Sequence, residues 1–126
     1  MSRTTTQQQA VWEALESAPG PLLPEEVLAR ALPRAGTLGQ ATVYRALNKL
    51  EAHDRVRRVT DPDGRARFEV ERGHHHHFHC RECDQVYDVP GCAARSPSAI
   101  QRRLPAGFSL EGHEVWLHGV CAACKP

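Results

Sequence analysis

The sequence predicts an α+β chain in two halves, on three observations. Apolar residues first recur at helical spacing, the period then changes to alternation around a DPDG turn, and beyond residue 73 short strand-like runs are framed by two C-x-x-C pairs. In TTTQQQAVWEALESAPG, Val11, Ala14, Leu15 and Ala18 form one helical stripe behind a threonine cap region, and PG stops the run. LPEEVLARALPRAG predicts a second helix. Pro24 suits its first turn, Glu25 and Glu26 favour the positive end of its dipole, and Val27, Leu28, Ala31 and Leu32 face inward. A third helix opens with the capping-box spacing Thr37-x-x-Gln40 and buries Val43, Leu47 and Leu50. Tyr44, Arg45, Asn48 and Lys49 are left on its outer side.

RVRRVTDPDGRARFEVE then reads as a β-hairpin, with Ala66, Phe68 and Val70 alternating against Arg65, Arg67 and Glu69. Three short helices followed by an arginine-bearing hairpin is the order of a winged helix-turn-helix. Its third helix can enter a major groove while the hairpin follows the backbone. Tyr44, Arg45 and Lys49 on the helix, with Arg57, Arg58 and Arg65 on the wing, are the candidate DNA contacts. The bland alternative is a small bundle whose charges merely face water.

The second half has short strands, QVYDV and HEVWLHGV, around a short helix that Ser96 would cap and Pro97 would begin. With few large apolar residues it is expected to need metal, a partner subunit, or both. The expected domains are 1–72, winged helix, and 73–126, metal-binding.

Bulk properties exclude several classes. The chain is 40% hydrophobic and 25% charged, as a folded globular protein is. No apolar run approaches the ~18 residues of a membrane span, which leaves the cytoplasm as the expected compartment. Net charge is +1, with 11 basic and 10 acidic residues before Gly73 and 5 of each from there on. Any nucleic-acid footprint must come from local placement of Arg and Lys.

Metal ligation is the strongest chemical signal. Cys80-Arg81-Glu82-Cys83 and Cys121-Ala122-Ala123-Cys124 are two turns that can each aim two thiolates at one ion, completing a closed tetrahedral shell suited to structural Zn²⁺. Cys92 stands alone and is expected to be an ordinary thiol. The run GHHHHFHCREC supplies five histidines at 74–77 and 79. On a strand, His75, His77 and His79 point one way and His74, His76 and Phe78 the other, so one run can serve two sites. Glu69 just before it, Asp88 on the next strand and His113 on the last could add ligands, and imidazole with carboxylate suits Mn²⁺, Fe²⁺ or Zn²⁺.

Taken together, ATVYRAL at 41–47, the FE at 68–69, the histidine run leading into CREC, and the terminal CAAC resemble the ferric uptake regulator (Fur) family over essentially the whole chain. The resemblance implies an N-terminal winged-helix DNA-binding domain, a C-terminal α/β dimerisation domain, and metal-dependent repression by a homodimer on a palindromic double-stranded DNA operator. It implies a structural zinc on Cys80, Cys83, Cys121 and Cys124. A regulatory divalent metal (Mn²⁺, Fe²⁺ or Zn²⁺) would sit on Glu69, His75 and His77, with Asp88 as a further carboxylate, and a second site on His74, His76 and His113. It places Tyr44 and Arg45 at DNA. The chain departs from the family in having Pro21 where many members carry a histidine before the second helix, and Arg95 near the usual acidic residue of the second site.

Beside a zinc-storage or interaction module with no DNA role, two rival functions share these residues. A peroxide sensor of the same fold would use bound Fe²⁺ to oxidise a ligand histidine. A metal-dependent hydrolase would need an open metal position and a general base. The chain has no H-E-x-x-H run and devotes its first half to DNA-type architecture, so no enzyme activity and no small-molecule substrate are expected.

Overall fold

In the computed structural model the described residues are 3–91 and 97–126. Cys92, Arg95 and the expected cap Ser96 lie outside them. The chain divides into two compact units, Met1–Arg72 and Gly73–Pro126.

The first unit contains α1 (Arg3–Glu16), α2 (Pro24–Ala35), α3 (Gln40–Ala52) and a hairpin of β1 (Val56–Thr60) and β2 (Ala66–Val70). Val11, Leu15, Leu22, Val27, Val43, Leu47 and Phe68 meet in one core. The hairpin register pairs Val56 with Val70 and Arg57 with Glu69. At its turn the Asp61 side chain accepts the N–H groups of Asp63 and Arg65, each at 2.9 Å, and Gly64 takes the left-handed φ of 82° that the turn requires. Leu22 and Phe68 exchange N–H···O bonds of 2.9 and 2.8 Å, tying the turn before α2 to the wing.

Several local expectations fail. The threonines expected to cap α1 lie inside it. The Thr37/Gln40 capping box does not form. Gly39 occupies the N-cap of α3 with no side-chain bond, and the Thr37 carbonyl is taken by the Gln7 amide at 2.9 Å. Leu32 of α2, expected to face inward, is exposed, and on β2 both Arg67 and Glu69 are buried along with Phe68. Arg67 turns inward because Asp61 Oδ2 (2.9 Å), Glu26 Oε1 (3.1 Å) and the Pro21 carbonyl (3.4 Å) surround its guanidinium. Glu26 also accepts the Leu23 N–H at 2.8 Å, closing the first turn of α2.

The second unit contains β3 (His76–Cys80), β4 (Val86–Val89), α4 (Pro97–Gln101) and β5 (Trp116–Gly119). The sheet order is β4-β3-β5, with β4 antiparallel and β5 parallel to β3. Among the described residues its buried apolar positions are Val86 and the cysteines Cys80 and Cys121, so this unit has little core beyond the thiols. β5 is shorter than expected. It begins at Trp116, which leaves His113 in the loop before it. That loop is held from α4, because the Gln101 amide donates to the Phe108 carbonyl at 2.7 Å and its oxygen accepts the Leu110 N–H at 2.9 Å. No described helix is long and apolar enough to cross a membrane.

Candidate metal centres and nucleic-acid face

The four cysteines converge from the two ends of the second unit. Each offers a sulfur within 4.8 Å of the others, and the Cys83 and Cys121 sulfurs are 3.9 Å apart. A tetrahedron with Zn–S bonds of ~2.3 Å needs sulfurs roughly 3.8 Å apart, so the set fits structural zinc. Backbone geometry prepares it. The Cys121 N–H donates to the Cys80 sulfur at 3.3 Å, and with the Cys83 N–H it brings the Cys80 thiol down to about 6. The Tyr87 hydroxyl donates to Cys121 and lowers that thiol too, while its own ionisation is pushed up to about 12. Cys124 is pushed up to about 12 by its hydrogen bonds with Cys121 and Cys83. Two thiols are thus predisposed to ionise while Cys124 keeps its proton until a cation displaces it.

The histidine run splits by strand parity. His74 and His76 stack edge-on with ring centroids 4.6 Å apart, and His75 and His77 at 5.0 Å. On the second face Asp88, the direct partner of His77 across β3 and β4, places Oδ1 3.2 Å from His75 Nε2 and 3.5 Å from His77 Nε2. His75 Nδ1 is 3.0 Å from the Gly73 carbonyl and must donate its hydrogen there. In the neutral ring this leaves Nε2 as a lone pair facing a carboxylate oxygen, an arrangement that wants a cation between them. His79 shares this parity but turns away to Asp84, at 2.7 Å. Glu69, in the first unit, is met by Arg57 Nε at 2.9 Å.

On the first face, ring nitrogens of His74, His76 and His113 lie within 4.8 Å of one another. Burial is the first cause that pushes the His76 imidazole below its ordinary value, with the neighbouring histidines adding to it. Its Nδ1 accepts the Val115 N–H at 3.1 Å, which puts the neutral ring's proton on Nε2, 3.1 Å from His74 Nε2.

In the first unit α3 buries Val43, Ala46 and Leu47 and exposes Tyr44 (47%), Arg45 and Lys49. Tyr44 and Asn48 share a cleft of about 530 Å³ with Arg58 and Arg65 of the wing. The wing arginines are already paired. Arg58 makes two bonds to Glu51 (3.1 and 3.2 Å) and stacks over Phe68, Arg65 binds Asp61 at 2.9 Å, and Arg57 is committed to Glu69. Asn48 belongs to this cleft although only its outward helical position marked it in the sequence. Tyr87, as partner of a cysteine across the sheet, carried no sequence signal at all.

The family model for the ferric uptake regulator family matches residues 1–118. The chain belongs to the ferric uptake regulator family. It is 33% identical over 118 residues to the ferric uptake regulation protein of Legionella pneumophila, covering 91% of this chain and 85% of the relative. To that of Escherichia coli (strain K12) it is 34% identical over 101 residues, covering 78% and 66%. Among solved structures, a zinc-bound manganese uptake regulator superposes with a TM-score of 0.73 at 28% identity, over 91% of this chain and 87% of that one. A metal-responsive regulator of this family, with an N-terminal winged helix and a four-cysteine structural zinc site, is what sequence, fold and relatives agree on.

Proposed function

We propose that this chain is a transcriptional repressor that binds a palindromic double-stranded DNA operator as a homodimer when its regulatory site holds Mn²⁺, Fe²⁺ or Zn²⁺. The observation that carries this reading is Asp88 Oδ1 set against the Nε2 atoms of both His75 and His77, with His75 Nδ1 anchored on Gly73. Two neutral imidazoles and a carboxylate form a donor set for a borderline or hard divalent cation. The family resemblance adds Glu69, at the end of the wing, as a further ligand of this cation. Its occupancy and operator binding then raise each other's affinity by the same factor. Tyr44 and Arg45 meet bases or sugars, and Lys49, Arg58 and Arg65 meet phosphates. Arg57 contributes only after leaving Glu69, which metal ligation by Glu69 would bring about. The second unit supplies the dimer contact, and the cluster of His74, His76 and His113 is the site of a second cation.

The test is selection of bound sequences from random duplexes with Mn²⁺ or Zn²⁺ present, followed by anisotropy titration of the selected operator. Wild type should bind at least about tenfold more tightly with metal than after chelation of the regulatory ion, and His77→Ala should lose that difference. Equal affinity with and without metal in both proteins overturns the proposal.

A further inference from the structure

The second histidine cluster has a gap in its chemistry. Three neutral imidazoles bring no negative charge to a divalent cation, and His76 is the poorest donor of the three. Ligation through its Nε2 requires the ring proton to move to Nδ1, where the Val115 N–H already points from 3.1 Å. An oxygen donor is therefore wanted. A cavity of about 360 Å³ opens beside the cluster, lined by His74, Leu110, Glu111, Gly112 and His113. Glu111 is the carboxylate of that wall. It precedes His113 by two residues on the loop that Gln101 clamps at Phe108 and Leu110, so ligand loop and histidine loop are one segment with a fixed base. Glu111 is exposed, so its side chain can turn toward a cation without leaving a packed position.

We propose that Glu111 is the carboxylate donor of a divalent-cation site whose nitrogen donors are His74 and His113. This rests on the reading above that the cluster holds a second cation, and it assigns that cation's charge-neutralising ligand. One carboxylate with imidazoles is a nitrogen-and-oxygen set suited to Zn²⁺. His76 then serves as a positioning residue, held by Val115.

The experiment is a Zn²⁺ titration of the full chain, its four cysteines already loaded, against a chromophoric chelator. Wild type, Glu111→Gln, His113→Ala and His77→Ala are compared. Glu111→Gln and His113→Ala should weaken the same binding event by at least about tenfold and leave the His77-dependent event intact. If His113→Ala removes an event that Glu111→Gln leaves at wild-type affinity, the cluster binds metal and Glu111 is not its ligand. If wild type shows no event beyond the His77-dependent one, the second site itself is absent, and operator binding through the first site stands untouched.

Discussion

Arg67 Nε lies 2.9 Å from Asp61 Oδ2, and neither side chain is exposed to solvent. The pair joins the wing turn to α2 through Glu26, and to the turn before α2 through the Pro21 carbonyl. Removing Arg67 leaves buried Asp61 with Arg65 and two backbone N–H groups as its partners, and removing Asp61 leaves buried Arg67 with Glu26 and the Pro21 carbonyl. Arg67→Met should lower stability to urea by about 1.5–3 kcal/mol, the scale of losing hydrogen bonds to a charged group, and a loss under ~0.5 kcal/mol would show that the network contributes little. The pair also sets an acid limit. Burial alone would raise the Asp61 carboxyl, but the Arg65 N–H and the Arg67 and Arg65 guanidiniums outweigh it and hold it below the usual range. A depressed folded value means the contribution is full above the unfolded carboxylate pKa of about 3.9 and is lost as pH falls through the folded one. Asp61→Asn should therefore flatten the stability profile below about pH 4 and leave its slope near neutrality unchanged.

Zinc uptake by the reduced, metal-free protein should release protons. Thiolates are the ligands, and Cys124, pushed up to about 12, still carries its hydrogen at neutral pH, whereas Cys80, down at about 6, has largely lost its own. Affinity should fall as pH falls, and an indicator dye in weak buffer should report the release. Uptake without any proton release would contradict the ionisation pattern of the four sulfurs.

Tyr87→Phe removes the hydroxyl that hydrogen-bonds Cys121 and little else. The fold should persist by circular dichroism while zinc transfer to a competing chelator gains roughly tenfold, the scale of losing an outer-sphere partner. An unchanged transfer rate would mean that the bond is not maintained around the loaded site.

Asp88→Asn keeps an oxygen opposite His75 and His77 but withdraws its charge. Response to Mn²⁺, which leans on hard oxygen donors, should weaken by at least about tenfold, and response to Zn²⁺ by less. Equal losses for both ions would show that Asp88 does not set metal preference.

Lys49→Ala tests the exposed face of α3. Operator affinity should drop for all sequences alike, and the slope of log affinity against log salt should shrink by about one. A loss confined to one operator base would instead make Lys49 a base reader.

Sequence reading reached those features whose causes lie within a few residues of each other. A C-x-x-C turn defines its own chelate, and strand parity alone separates His74 and His76 from His75 and His77. The stripe of α3 behaved likewise, since Val43 and Leu47 are buried where their period puts them, whereas Leu32 in the stripe of α2 is exposed. What escaped depends on distant partners. Arg67 looks like any outward wing arginine until Asp61 and Glu26, 41 residues away, are brought beside it. Thr37 looks like a cap until Gln7 takes its carbonyl. His113 reads as part of a strand because alternation continues through Glu114 and Val115, whereas pairing with β3 as a strand begins at Trp116.

The uniform composition of residues 74–77 has a consequence for how the protein tolerates change. Sliding four identical side chains along by one position exchanges faces yet still presents imidazoles on both, so the stretch carries no internal record of its own phase. That record sits at Cys80, whose sulfur takes the Cys121 N–H and whose neighbour Arg81 donates its N–H to the Gly119 carbonyl at 2.9 Å. The knuckle cysteines thus index the histidines, and an insertion or deletion between residues 77 and 80 would reassign both clusters at once while altering neither motif.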